Sequence, residues 1–197
     1  RRDLRLGGMQ LSRERITGAA LGILREYGLA DVSMRRVATT LGVAPGALYW
    51  HVANKQELIA TVAEAIVQPL LDGPVPDPAA LSRQLRELML GVRDGAEVVV
   101  AAVGQPDSQV RDDLERRFDE AVRLAAEGAS TRDARTAARG LLHLTLGEAA
   151  VTQSTAQLAE ATGAPEGAAG GANGEEHAAA VGFLLAGLER TKLWPHD

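Results

Sequence analysis

Apolar residues recur every three or four positions along most of this chain, which is the spacing of one face of an α-helix. The first apolar stripe follows Ser12, a good helix cap, and ends at Gly28, a residue that commonly terminates a helix. Its members are Ile16, Ala19, Ala20, Ile23, Leu24 and Tyr27. Comparable stripes follow as far as about residue 193, and the pattern as a whole predicts an all-α fold.

Two short helices separated by a tight turn are predicted next. Residues 33–41 form a helix that stops at Gly42, and residues 44–51 begin a second helix almost at once. On this second helix Leu48 faces inward, so that bulky side chains such as Tyr49 and Trp50 are left on the outer face. Such a pair is typical of a helix-turn-helix, whose second helix enters the DNA major groove. The alternative is a local hydrophobic cluster within a small helical bundle.

A fourth helix and then a break are predicted after this pair. Asn54, followed three residues later by Glu57, is a capping box that opens a helix running to about residue 71. Three prolines within residues 72–78 cannot continue that helix, and Asp77-Pro78 is a suitable start for the next one. We therefore predict a basic, flexible arm at 1–10, a DNA-binding domain with its connecting helix at 11–71, and a second domain at 72–197.

The second domain is also predicted to be helical. A valine-rich run at 98–103 has strand propensity, but its short length and helical neighbours favour a buried helix. Further helices are predicted at 110–125, 131–154 and 175–193. The glycine- and alanine-rich stretch at 161–174 has the composition of a flexible loop.

The charge distribution separates the two parts. Residues 1–60 carry a net charge of +4, whereas the whole chain carries −5, so that the remainder carries −9. A basic first part joined to an acidic body is typical of a nucleic-acid reader attached to a domain with another task.

Several classes of protein are disfavoured by what the sequence lacks. There is no cysteine, so disulfides and thiolate metal sites are excluded and a cytoplasmic location is expected. No apolar run approaches the roughly 20 residues that span a bilayer. We find no phosphate-binding glycine loop, nucleophile elbow or zinc-protease spacing, and the four histidines are scattered. We therefore do not expect an enzyme, a membrane protein or a cofactor.

The run from about residue 11 to 67 resembles the DNA-binding domain of the tetracycline-repressor (TetR) family. The resemblance is carried by Arg35-Arg36-Val37-Ala38, Leu41-Gly42-Val43, Leu48-Tyr49-Trp50-His51-Val52 and Asn54-Lys55. It implies that the third helix reads the major groove and that neighbouring side chains hold phosphates.

Three groups of DNA contacts are implied by the resemblance. Ser33 and Arg35 are expected at the edge of the groove. The residues expected over the base edges are Ala44, Pro45, Gly46 and Ala47, and those expected on the phosphate backbone are Tyr49, Trp50, His51 and Lys55. The tetracycline-responsive members carry a base-reading glutamine before this motif, whereas residues 44–47 offer almost no side-chain hydrogen bonds. Readout is therefore expected to rest on Arg35, thymine methyl contacts and DNA shape.

The resemblance extends more weakly into the second domain, through Arg93-Asp94-Gly95-Ala96 and through residues 142–147 with Gln153 after them. Where tetracycline-responsive members present a histidine and a glutamate to magnesium, this chain has Val99 and Val151, which cannot coordinate a hard cation. We therefore expect a mostly apolar, metal-free effector pocket with a few polar groups. The residues predicted for it are Arg86, Arg93, Val99, Gln105, Phe118, His143 and Val151.

The function implied is a ligand-responsive transcriptional regulator, most simply a repressor, that binds a palindromic operator as a homodimer. The resemblance implies a four-helix dimer interface built from residues 131–154 and 175–193 of each copy. A small molecule in the second domain is expected to move the far end of the fourth helix and so to release the DNA. The alternative is an architectural DNA-binding protein without an effector, which the large acidic body disfavours.

Overall fold

The computed structural model describes residues 10–163 and 174–191, and these residues form helices and no β-strand. The helices are α1 (Arg13–Tyr27), α2 (Met34–Leu41), α3 (Pro45–Leu48), α4 (Lys55–Leu71), α5 (Pro78–Leu90), α6 (Gly95–Val103), α7 (Gln109–Ala125), α8 (Thr131–Thr162) and α9 (Gly174–Thr191). One 3-10 turn, Leu29–Asp31, lies between α1 and α2. The all-α prediction is confirmed. Nearly all of the predicted arm at 1–10 and most of the predicted loop at 161–174 lie outside the described residues.

Polar side chains cap the helix starts, at Ser12 and Asp77 as predicted and at Ser33 without a prediction. The side-chain oxygens of Ser12 and Ser33 accept hydrogen bonds from backbone N–H groups in the first turns of α1 and α2. The carboxylate of Asp77 accepts from the N–H groups of Ala79 and Ala80, both at 3.0 Å, and Pro78 opens α5. These bonds satisfy donors that have no partner inside the helix, which fixes where each helix begins.

Two of the predicted helix lengths are wrong. The helix predicted at 44–51 is a single turn, Pro45–Leu48, because the carbonyl of Leu48 accepts from the N–H groups of both His51 and Val52 and the chain turns away there. The helix predicted to end near residue 154 continues to Thr162, where Gly163 at φ 64° ends it in the left-handed conformation. The valine-rich run is helical, as expected, and forms most of α6.

The helix α4 connects the amino-terminal helices to the rest of the chain. It packs against α1 on one side and against α5, α6 and α7 on the other. Buried apolar side chains form one continuous cluster from Ile16 to Leu188, which passes through α4 at Leu58, Val62 and Ile66. A displacement of α4 is therefore felt on both sides of the predicted domain boundary.

The linker between α4 and α5 is held down by one arginine. The Nη2 group of Arg117 on α7 donates to the carbonyl oxygens of Gly73 at 3.0 Å and Pro74 at 2.9 Å. Gly73 has φ 86°, a conformation that favours glycine. The break predicted from the prolines is thus an ordered turn tied to α7.

The last two long helices leave large apolar side chains in solvent. Val151 and Leu158 on α8 are 63% and 64% exposed, and Phe183 on α9 is 78% exposed. Leu188, by contrast, is buried within its own chain. Across residues 10–163 and 174–191, no helix combines the length and the apolar character that crossing a bilayer requires.

Candidate nucleic-acid interface

The turn between α2 and α3 has the geometry that a helix-turn-helix requires. Gly42 adopts φ 68°, and the N–H of Val43 donates to the carbonyl of Ala38 at 3.0 Å, which is the bond pattern of a glycine-terminated helix. Leu48 and Val52 are fully buried, so they anchor the segment that follows the turn to α1 and α2. The predicted inward position of Leu48 is confirmed.

The outer face of the segment at 44–47 carries only small side chains. Ala44, Pro45 and Gly46 at the start of α3 are exposed and Ala47 is half-buried. Their side chains are small or absent, so the backbone itself lies at the surface. Such a surface approaches a groove closely but offers methyl and methylene contacts rather than hydrogen bonds.

Two aromatic side chains project from the end of α3. Tyr49 is 54% exposed and Trp50 is 89% exposed, while His51 beside them is half-buried. An indole left almost wholly in water gains nothing from the core of its own chain, and large exposed apolar groups of this kind mark interaction sites. Tyr49 and Trp50 therefore point to a partner outside the chain.

Two cations in the same part of the molecule have no partner among the described residues. Arg35 on α2 and Lys55, the first residue of α4, are exposed and form no ion pair with any described residue. Ser33, also predicted to touch DNA, is half-buried and its Oγ accepts from the N–H of Arg36 at 3.2 Å. The structure thus places two available positive charges and one capping hydroxyl around the short α3.

The neighbouring Arg36 has a different role, which the sequence did not reveal. Its guanidinium pairs with Asp31 and lies over the ring of Tyr27, 4.1 Å from the ring centroid. Both contacts are made within the same group of helices, so Arg36 fixes the 3-10 turn and α2 against α1. Two adjacent arginines look alike in the sequence, and only the fold distinguishes the structural one from the available one.

The start of α4 is rigidly held next to Lys55. The Oδ1 of Asn54 accepts from the N–H of Glu57 at 2.9 Å, and Oε2 of Glu57 accepts from the N–H of Ala53 at 2.6 Å. The other oxygen of Glu57 pairs with Arg13 of α1 at 2.7 Å. The Ala53 N–H and then the Arg13 guanidinium lower the pKa of the Glu57 carboxyl. The predicted capping box is confirmed, and it also joins α4 to α1.

Two hydrogen bonds join side chains of the second domain to the backbone of the amino-terminal helices. The backbone N–H of Leu29 donates to Oδ2 of Asp94 at 2.5 Å, while Oδ1 of the same carboxylate accepts from the side-chain amide of Gln157 on α8. Separately, Nε2 of Gln105 donates to the carbonyl of Gln56 on α4 at 3.1 Å. Asp94 therefore links α8 directly to the turn that precedes α2.

The backbone around Asp94 is adapted to this contact. Asp94 has φ 55°, which is uncommon for a residue with a side chain. Opposite it, a Cβ atom on Gly28 would lie only 2.7 Å from Oδ2 of Asp94, so the approach requires glycine. Sequence reasoning identified Gly28 as a helix stop and missed its second task, because nothing local connects residues 28 and 94.

The residues predicted for an effector pocket lie in several different places. Val99 and Phe118 are fully buried in the core, whereas His143 and Arg93 are exposed and Val151 lies on the open side of α8. Their placement leaves the predicted pocket untested.

Two of the polar side chains predicted for the pocket already have partners. Arg86 pairs with Glu148, with 2.6 Å between Nε and Oε2, and Gln105 donates to the carbonyl of Gln56. Gln105 borders a cavity of about 310 Å³ with residues of α1 and α4, and none of the other six predicted residues lines that cavity. No group of three or more potential metal ligands occurs within residues 10–163 and 174–191.

The exposed aromatics, the two available cations and the helix-turn-helix around Gly42 define a DNA-binding protein. Residues 16–62 match the model of the bacterial regulatory proteins of the tetR family. The class D tetracycline repressor protein of Escherichia coli is 32% identical over 168 residues, which cover 80% of this chain and 74% of that protein.

Solved structures agree with this match. The crystal structure of BioQ with its natural double-stranded DNA operator has a TM-score of 0.74 and 32% identity, and the match covers 91% of this chain and 99% of that one. A TetR variant from Acinetobacter baumannii AYE in complex with minocycline has a TM-score of 0.67 and 25% identity, over 93% and 99% of the two chains. This chain belongs to the TetR family. It is a DNA-binding transcriptional regulator. Its relatives are regulators as well, which confirms the prediction that the protein is not an enzyme.

Proposed function

We propose that this protein is a cytoplasmic repressor that binds a palindromic operator as a homodimer and releases it when a small molecule binds the second domain. The observation that carries the proposal is the exposed face around the short α3, whose Arg35, Tyr49, Trp50 and Lys55 have no partner among the described residues. The operator complex of BioQ supports the DNA-binding part. The minocycline complex of the Acinetobacter protein supports the ligand-responsive part.

The proposed reading of the operator follows from the chemistry of this face. Arg35 is the side chain on it that can form paired hydrogen bonds with guanine, and Ala44, Pro45, Gly46 and Ala47 contact thymine methyl groups or sense groove shape. Ser33, Tyr49, Trp50, His51 and Lys55 hold the phosphate backbone. Specificity then depends on few direct base contacts, with the remainder set by DNA shape.

The proposed dimer follows from the apolar side chains that α8 and α9 leave in solvent. Val151, Leu158 and Phe183 would form an exposed patch on an isolated copy, and pairing two copies through these helices buries it. The two reading segments are then related by a twofold axis, so the operator half-sites lie one helical turn, or a multiple of it, apart.

The proposed release works through the contacts between the second domain and the DNA-binding domain. A ligand that stabilises a different position of α4, α6 or α8 changes the Asp94 contact to Leu29 and the Gln105 contact to Gln56. Coupling between two sites is typically about 1–3 kcal/mol, which changes operator affinity roughly 5- to 150-fold.

Because Val99 and Val151 cannot hold a hard cation, we expect release not to require magnesium. The domain limits at 11–71 and 72–197 remain part of this proposal.

The experiment is selection of bound fragments from the source genome, followed by anisotropy titration of the selected duplex against a scrambled duplex. The proposal expects a palindrome, two chains per duplex and affinity about 10³-fold or more above that for scrambled DNA. The architectural alternative expects similar affinities for both duplexes, since it would rest on phosphate contacts alone. A result of that second kind overturns the repressor proposal.

A further inference from the structure

A groove between α6 and α8 has the size of a small-molecule site. It encloses about 340 Å³ and is open to solvent on one side, within the range of about 300–1,000 Å³ typical of ligand pockets. Its apolar lining comes from Val100 and Ala101 on α6 and from Ala150 on α8. Its polar lining comes mainly from Glu97, Gln153 and Gln157.

The polar side chains of this groove differ in whether they already have a hydrogen-bond partner. Glu97 is exposed and forms no hydrogen bond or ion pair with any described residue, and none of the described residues that line the groove is a lysine, arginine or histidine. Its carboxylate is thus an unshared negative charge beside an apolar surface. A positively charged group on a ligand would find its partner there, and an anionic ligand would be repelled.

The two glutamines connect the groove to the DNA-binding helices. Gln153 accepts from the N–H of Ala96 at 2.9 Å and donates to the carbonyl of Val92 at 2.9 Å, so it holds the turn between α5 and α6. Gln157 donates to the carboxylate of Asp94, whose other oxygen accepts from the N–H of Leu29. The groove is therefore lined by the two amides that hold Asp94 and its turn against α8.

We propose that this groove is the effector site, and that it binds a small molecule with a flat apolar body and a protonated amino group that pairs with Glu97. The apolar body lies on Val100, Ala101 and Ala150. Gln157 lines the groove and donates to Asp94, so a ligand there that displaces the Gln157 amide removes one hydrogen bond that holds Asp94 against the Leu29 N–H, which loosens the turn that precedes α2. This inference rests on the proposed ligand-responsive function and assigns it a site and a ligand class.

The test uses three probes that share one ring system: 2-naphthylmethylamine, 2-naphthalenemethanol and 2-naphthoate. Calorimetric titration of the full chain should show the amine binding up to about fivefold more tightly than the alcohol, the largest gain expected of an exposed ion pair, and the carboxylate binding weakest. E97Q should bring the amine and the alcohol to the same affinity. The matched control E120Q removes an exposed carboxylate from α7 and should leave the preference for the amine unchanged.

A second variant and a second readout make the site itself testable. A101W places a ring over the apolar lining from an exposed position and should abolish binding of both the amine and the alcohol while leaving the thermal midpoint unchanged. On binding of the amine, the Leu29 amide should exchange with solvent faster than in the free protein. If no probe binds, if A101W still binds, or if E97Q keeps the preference for the amine, the groove is not the site.

Operator binding by the unliganded protein separates this inference from the function on which it rests. If the protein binds its operator specifically but fails the probe tests, the groove assignment is wrong and the regulator proposal stands. If unliganded protein binds no operator specifically, the regulator proposal itself fails.

Discussion

Lys55 offers a direct test of the DNA face at the scale of a single residue. Its ammonium group is exposed at the start of α4 and makes no ion pair with a described residue. If it contacts a phosphate, K55A should weaken binding to all duplexes alike and lower the slope of log K against log salt by about one unit. Anisotropy titrations at several salt concentrations measure this slope.

A matched control removes a positive charge from elsewhere. Arg83 lies on α5 with an exposed side chain, so R83A should leave the salt slope unchanged. Equal slopes for the wild type and K55A would show that Lys55 does not touch a phosphate.

The buried His177 should make the stability of the fold depend on pH. It is 3% exposed, with 3.1 Å between Nε2 and Oγ of Ser82 and 3.5 Å between Nδ1 and Oε2 of Glu148. Burial lowers the pKa of its imidazole below 6.5, although Glu148 opposes this. The unfolded chain therefore binds protons more readily, and the free energy of unfolding should fall as the pH drops below about 6.5.

The measurement is the urea midpoint at pH 7.5 and pH 5.5. H177Q removes the titrating group while keeping a polar side chain near Ser82, so the part of the midpoint shift that is due to His177 should disappear. H143Q alters an exposed histidine of α8 and should retain the wild-type shift. An unchanged pH response in H177Q would remove His177 as the cause.

At the scale of the helices, α6 packs against α4, and Asp94 just before it contacts the turn that precedes α2, so Asp94 is the residue to change. An asparagine keeps the left-handed backbone but has one acceptor oxygen instead of two. In D94N the side chain therefore cannot accept from the Leu29 N–H and the Gln157 amide through separate oxygens, as the carboxylate does. Loss of a charge-assisted hydrogen bond of about 1.5–3 kcal/mol should speed exchange of the Leu29 amide roughly tenfold or more. Hydrogen–deuterium exchange resolved to that residue measures the effect.

Asp107 provides a closely matched control. It is exposed and also has a positive φ, 52°, in the turn between α6 and α7. D107N therefore makes the same chemical change on the same kind of backbone, and the exchange of Leu29 should stay at the wild-type rate. Similar exchange rates of the Leu29 amide in D94N and the wild type would mean that Asp94 does not hold the turn that precedes α2.

For the whole molecule, Phe183 tests the proposed dimer. Its side chain is 78% exposed on α9, and a charge there should be tolerated by the single chain but not by an apolar interface. F183E should sediment as a monomer and bind the operator about a hundredfold or more weakly, because two linked reading segments no longer engage together. L124E charges another exposed leucine, on α7, and should remain a dimer. A dimeric F183E would place the interface elsewhere.

The sequence alone determined the features that depend on neighbours along the chain. Ser12, Asn54 and Asp77 fixed helix starts, and Gly42 fixed the turn, because capping and left-handed geometry act over three or four residues. The apolar stripes fixed the all-α fold for the same reason, since their period is a property of the helix itself. Together with the Leu-Tyr-Trp-His motif, these local signals were enough to identify the DNA-binding part.

Only the tertiary structure decided the features that join distant residues. It assigned Arg36 to Asp31 and Tyr27, brought Asp94 against Leu29, and buried Leu188 while leaving Phe183 in solvent. It also ended α3 at Leu48, whose carbonyl accepts from the N–H groups of both His51 and Val52 where the chain turns toward α4. Each of these outcomes depends on packing between helices that lie far apart in the chain, and the spacing of residues along one helix carries no information about its neighbour.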